Sequence, residues 1–331
     1  MQPYYAIEQN SLGLKLTNIT HKELLFLREV PCDIYSYHQQ LFKIVFPKYT
    51  QLDKSILQKL AETGLTHFYV LQKEKEKIIT NVQTELINVT RSLSIGDPVE
   101  KGRNKLNLLS INMAHLYSNP TDDNCLNLQF QCAKNLCAFL YENHRHIRRL
   151  FEEYTQQKHF YVYAQPMISS LLLLGLLRHT RLLTDKEIEM LFLTSYFKDI
   201  GMSAVPEEQY SVEDLSDDDK KLLLRHPRHS IEILAKRLPL RPSGFKIIEH
   251  HHAFSGLTQQ VGVQEQDQML FGFETMIISV MDIISAMTSE RPYRSATNLF
   301  DSLNLVKVII ADQFPAEFKL MVNYFKTFYS T

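Results

Sequence analysis

The chain has 331 residues, more than one compact domain usually needs, so two units are expected. Its 44% hydrophobic and 22% charged content is ordinary for a soluble globular protein. A formal net charge of -1 excludes a global electrostatic pull toward nucleic acid or anionic membrane.

Met1-Gln2-Pro3-Tyr4 opens a polar stretch without a secretory signature. Cys32, Cys125, Cys132 and Cys137 form no CxxC pair and read as reduced thiols of a cytoplasmic protein. Cys32 to Tyr37 and Leu41 to Phe46 are β-branched and aromatic, which predicts strands. Asp53 to Leu65 has helical spacing of Ile56, Leu57, Leu60 and Ala61, closed by Gly64. Thr66 to Leu71 predicts another strand, and the charged run Lys73 to Lys77 a solvated helix start. Residues 1–90 are therefore read as a small α/β N-terminal domain, regulatory in role, ending in a linker helix. Residues 91–331 are read as an all-helical domain, which makes the chain mainly α.

Ile78 to Leu93 carries apolar residues every three or four positions. Breaks are expected at Ser94 to Pro98 and at Ser118 to Asp123. Leu126 to Phe151 reads as one long amphipathic stretch, with His144, Arg145, His146, Arg148 and Arg149 near its end. Those basic residues are expected to form a solvated face helped by the helix C-terminal dipole, in preference to a nucleic-acid site. Met167 to Leu177 is strongly apolar, but its 11 residues fall short of the roughly 20 that span a bilayer. It predicts a buried helix with Arg178, His179 and Arg181 at its polar end. No strand pattern recurs after residue 72, and there is no internal repeat or low-complexity linker.

Candidate site residues lie at helix ends. Asp199 follows a helix that starts at a Thr184–Glu187 capping box, and Gly201 is expected to stop that helix. His226 is expected to close a helix that begins at Ser216, with Asp217, Asp218 and Asp219 in its first turn. His251 and His252, after His250, end the apolar segment Phe245 to Glu249. Adjacent helical side chains point about 100° apart, so both reach one metal only near a helix end. Asp282 lies within the apolar run Met276 to Met287 and needs a cation or a partner there. Such oxygen and imidazole ligands suit iron, manganese or zinc. Polar helix ends also collect His and Asp for structural reasons, and that alternative stays open.

From about residue 150 to 315 the chain resembles the HD-GYP family, the helical HD-superfamily phosphodiesterases of bacterial cyclic di-GMP signalling. The resemblance is carried by KDIGMSAVP at 198–206, KLLLRHPRHSIEILAK at 221–236, IIEHHH at 247–252 and DIISAMTSERPYR at 282–294. The N-terminal unit is similar to a small domain that often precedes HD-GYP modules. The resemblance implies a metal centre bridged by Asp199, with His226, His251 and His252 on one ion and Asp282 on another. It also implies Arg291 and Arg294 as substrate-binding residues.

The departures from the family pattern are as informative. The family's HD histidine is Lys198, its phosphate-contacting lysine is Met202, and the GYP loop is replaced by Ala253 to Gln260. An earlier ligand histidine aligns with Tyr163. One ligand set is complete and the other is broken, so Asp199 becomes a vestigial catalytic group and the expected activity is impaired. The expectation is a signalling pseudoenzyme with at most one divalent ion, or none, acting through a cyclic dinucleotide or a protein partner, or as a homodimer. No nucleic-acid duplex and no membrane span are expected. The alternative is an active cyclic di-GMP phosphodiesterase whose second site is rebuilt with Tyr163 and His159. A metal-free partner-binding helical domain is a third reading. Lys198 is expected to place its ammonium between Asp199 and Asp282, because two buried carboxylates without a cation repel. The opposing expectation is that it snorkels to solvent.

Overall fold

A strand covered on one face buries alternate side chains, as His67–Leu71 does in the N-terminal part. A computed structural model describes residues 6–8, 15–38, 41–65, 67–157, 159–206, 209–210, 212, 216–254 and 272–330. The chain divides into two compact units, Met1–Val89 and Thr90–Thr331. The first holds β1 (Ala6–Glu8), β2 (Leu16–Thr20), β3 (Ile34–His38), β4 (Leu41–Phe46) and β5 (His67–Leu71) in the order β1-β4-β3-β5-β2. All the pairings are antiparallel. In β5, Phe68 and Val70 point inward and join Ile19, Leu24, Ile34 and Leu57 in one apolar cluster. Helices α1 (His21–Leu24) and α2 (Lys54–Glu62) belong to this unit, and α1 is started by a Thr20–Glu23 capping box. The sequence reading missed β1, β2 and α1.

Helix α3 (Lys75–Arg91) runs through the boundary between the units. The second unit is helical. Asp97 caps α4 (Pro98–Ser118), with Pro98 at its first turn, and Asp122 caps α5 (Asp123–Glu142). The stretch Leu126 to Phe151 is not one helix. Asn143 ends α5 by turning its side-chain amide onto the Phe139 carbonyl at 2.9 Å. A 3-10 turn, His144–His146, follows, and then α6 (Ile147–Thr155).

Helix α7 (Tyr161–Thr180) is apolar nearly all round and buried, as an apolar helix without a polar face must be. It packs against α4, α6, α8 (Asp185–Phe197) and α12 (Phe273–Met287). The remaining helices are α9 (Asp217–Leu223), α10 (His226–Leu234), α11 (Pro242–His250), α13 (Leu299–Ile310) and α14 (Pro315–Ser330). A buried amide chain ties α4, α5 and α8 together. Asn112 donates to Gln129 Oε1 at 2.7 Å, and Gln129 donates to Tyr196 Oη at 2.5 Å and to the Leu109 carbonyl at 2.9 Å. Such satisfied networks fix one packing arrangement. Among the described residues, no helix is long and apolar enough to cross a membrane. The four cysteines are buried, and among the described residues none forms a disulfide.

Candidate metal centre

Three helix ends converge on one point. Helix α8 stops at Phe197, leaving Lys198 and Asp199 at its exit. Gly201 lies inside the following 3-10 turn, Ile200–Ala204, and does not stop α8 as expected. Its absent Cβ matters, because one would stand 2.1 Å from the His226 carbonyl and 2.4 Å from the Ser230 amide. The Gly201 amide donates to Ser230 Oγ at 2.8 Å, and Ser230 Oγ donates to the Lys198 carbonyl at 2.6 Å. Tyr117 Oη donates to the Asp199 carbonyl at 2.7 Å. The backbone that carries Asp199 is thus fixed from α4 and α10.

His226 opens α10; it does not close α9 as the sequence reading held. Ser216 does cap α9, in a capping box with Asp219. His251 is the C-terminal cap of α11 and His252 follows it, the helix-end placement that two adjacent histidines need. Asp199, His226, His251 and His252 bring their ligand atoms within 4.8 Å of one another.

The donor chemistry fits a divalent cation. His226 Nδ1 lies 2.6 Å from the Leu223 carbonyl oxygen and His251 Nδ1 lies 2.7 Å from that of Ile248. A carbonyl only accepts, so each Nδ1 carries a proton, which leaves Nε2 as the atom that each ring can offer to a metal. These Nε2 atoms stand 3.3 Å apart, and His252 Nε2 lies 3.3 Å from that of His226. Asp199 Oδ1 is 3.1 Å from His251 Nε2 and 3.3 Å from His226 Nε2. Four ligands at about 2.0–2.2 Å around one tetrahedral ion stand roughly 3.4 Å apart. Burial lowers the His226 pKa, and it lowers that of His252 further, with the neighbouring imidazoles adding to the effect. Neutral imidazoles are the ligand form.

Asp282 stands outside this group of four. It is buried in α12, and its Oδ1 lies 2.6 Å from Lys198 Nζ and accepts from Gln165 Nε2 at 2.8 Å. Lys198, completely buried, also pairs with Asp199 Oδ2 and does not reach solvent. Burial works against both ions of this contact. The two carboxylates outweigh it and raise the lysine pKa, and Lys198 with the imidazoles holds Asp199 well below the usual carboxylate range.

Gln165 was not foreseen. It stands on α7 one turn from Tyr161 and accepts from the Arg291 guanidinium while donating to Asp282. Tyr163, the residue chosen from the sequence, packs its ring against Tyr117 at 5.1 Å and Phe160 at 5.5 Å. His159 also stands outside the group of four, with Nε2 2.8 Å from Asn107 Oδ1 and its ring stacked on Tyr154.

A cavity of about 470 Å³ opens over the centre. Asp199, His226, His252 and Asp282 form one side, and Met202, Arg291 and Arg294 line it as well. Arg291 lies 4.1 Å over the Tyr161 ring, and its buried Nε has no acceptor among the described residues. Arg294 donates to the Ala286 carbonyl at 2.6 Å. Of the segment that replaces the GYP loop, residues 255–260 lie outside the described residues.

Comparisons with known proteins agree with the helical fold of the second unit. A family model described as an HD domain matches residues 134–308, more than half of the chain. The cyclic di-GMP phosphodiesterase response regulator RpfG of Xanthomonas campestris pv. campestris (strain 8004) is 25% identical over 125 residues. That match covers 37% of this chain and 32% of the relative, so the chain spans about a third of the relative's length. Among solved structures, Bd1817, an HDG"Y"P protein from Bdellovibrio bacteriovorus, superposes with a TM-score of 0.65 at 13% identity. It covers 94% of this chain and 100% of its own, a likeness of fold.

Proposed function

We propose that this chain, which belongs to the HD-domain family, is an HD-GYP-type cyclic di-GMP signalling protein with impaired hydrolysis. Asp199, His226, His251 and His252 would hold one divalent ion. Such an ion, when bound, supplies positive charge to a phosphoryl oxygen. The rest of the reading concerns the chain's own groups. Lys198 sets a fixed cation between Asp199 and Asp282. This one observation carries the proposal. Asp282 is already paired with the ammonium and hydrogen-bonded by Gln165, so it has little left to offer a second ion. Met202 gives the cavity an apolar side chain that cannot donate to a phosphate. Arg291 and Arg294 still present guanidinium groups to the same cavity, which suits binding of an anionic cyclic dinucleotide.

The alternative of an active phosphodiesterase has one observation in its favour, the accessible cavity above an intact set of four ligands. Elemental analysis of the purified chain, with cyclic di-GMP turnover and binding measured separately, tests the proposal. The expected result is no more than one ion per chain, nucleotide binding, and turnover absent or very slow. Two stoichiometric ions, or turnover comparable to an intact family member under matched metal conditions, would establish the alternative.

A further inference from the structure

A second cavity, of about 390 Å³, lies at the other end of α7. Arg178 is 13 residues from Gln165 along the same helix, about 20 Å at the helical rise. The cavity is lined from the 3-10 turn and α6, from the last turn of α7, and from α14. Four arginines face it: Arg145, Arg148, Arg178 and Arg181. Among the described residues, no carboxylate lines it.

Helix dipoles account for only part of this charge. Arg178 follows the rule that cations favour a helix C-terminus. Arg148 breaks it, because it stands in the first turn of α6, where there is no acidic residue and no side-chain cap. Its charge is held in place by Glu152 at 2.8 Å. Arg181 has no ion pair among the described residues, and it leaves α7 with a left-handed φ of 54°. Arg178 donates to Tyr141 Oη at 3.1 Å and lies 4.1 Å over that ring. Its Nε is buried and finds no acceptor among the described residues. A buried guanidinium donor without an acceptor is costly unless something else supplies one.

Part of the lining is aromatic. Tyr324 and Phe328 stand 5.3 Å apart between ring centroids, and both line the cavity. Tyr324 approaches α7 where the helix has Gly175. A Cβ at that position would stand 2.1 Å from Tyr324 Oη. The volume falls at the lower end of the roughly 300–1,000 Å³ found for small-molecule sites.

We propose that this cavity binds a phosphate-bearing small molecule of mononucleotide size. Arg145, Arg178 and Arg181 would take the phosphate, since the guanidinium fork matches phosphate oxygens. Tyr324 and Phe328 would take the planar ring. The site is separate from the metal centre and does not depend on how that centre is read.

Calorimetric titration of the full chain with AMP, with adenosine as the uncharged control, tests the proposal. One saturable AMP site per chain is expected, with adenosine weaker by about tenfold or more. Arg178→Met and Arg181→Gln should each weaken AMP by about tenfold. Arg181 is exposed, so its variant remains informative if Arg178→Met fails to fold. His226→Ala should leave AMP binding unchanged, which separates this site from the metal centre. Absence of saturable AMP binding overturns the proposal. So does loss of binding in His226→Ala with both arginine variants unaffected. Equal, salt-sensitive binding of AMP and duplex DNA would show a non-specific basic patch and overturn it as well.

Discussion

Lys198 Nζ lies 2.6 Å from Asp282 Oδ1 while also pairing with Asp199, so one buried ammonium joins the exit of α8 to the middle of α12. Removing it leaves two buried carboxylates without their cation. Lys198→Met is therefore expected to destabilise the fold by on the order of 3–5 kcal/mol, the cost of orphaning buried charge. Denaturant melts of the two proteins measure this. A change within about 0.5 kcal/mol, as at an ordinary surface site, would refute the pairing.

The same contact predicts a gain. Lys198→His removes the fixed charge and restores an imidazole at the entrance to Asp282. Metal content should rise above that of the parent chain in elemental analysis after equilibration with excess manganese. Identical stoichiometry in both proteins would mean that Lys198 is not what limits the site.

Metal removal should be visible as lost stability. A ligand bound to the native state alone raises stability with its concentration. Chelator treatment is expected to lower the melting temperature of the parent chain and to leave that of His226→Ala unaffected. Equal shifts in both proteins would argue that no ion sits on the four ligands.

Much of this centre was legible in the sequence, for a physical reason. Asp282 stands out because a carboxylate among Ile278, Met281 and Ile284 must have a partner, and the adjacent His251 and His252 needed a helix end. Gln165 was not legible. A neutral amide carries no charge signal, and residues two apart on a helix point about 200° away from each other, so a small slip in register exchanges Tyr163 for Gln165. The break before His226 was also missed. Neither Leu224 nor Arg225 disfavours helix, and the available signal was Pro227, which suits the first turn of a new helix. Strand β2, LTNIT, escaped because Ile19 is its only buried residue.

Gly201 should tolerate no side chain. In Gly201→Ala the new methyl would meet backbone atoms of α10, the His226 carbonyl and the Ser230 amide, as well as Ser230 Oγ. Relief requires α10 to shift, and α10 carries His226. A loss of about 1–3 kcal/mol or more is expected, with weaker metal binding, since overpacking forces backbone movement. Chemical denaturation and metal titration of the variant would show both, and parent-like values in each would mean that α10 can yield without cost.

A second buried lysine gives a prediction in pH. Lys105 is fully buried in α4 and bonded to Thr90 Oγ1. Burial lowers its pKa from 10.5 to about 8, and the nearby Cys132 opposes this only in part. Below pH 8 the folded chain holds a charge that the unfolded chain would keep in water, at a cost on the order of 3 kcal/mol. Between pH 8 and 10.5 the folded chain releases the proton first, so this contribution to stability rises with pH and the cost is gone above 10.5. Lys105→Met removes the titration. The variant should be the more stable protein at pH 7, and the gap should close as the pH approaches 10. Paired urea melts at several pH values measure the difference directly, and a gap that stays constant across that window would show that the Lys105 ammonium does not titrate there.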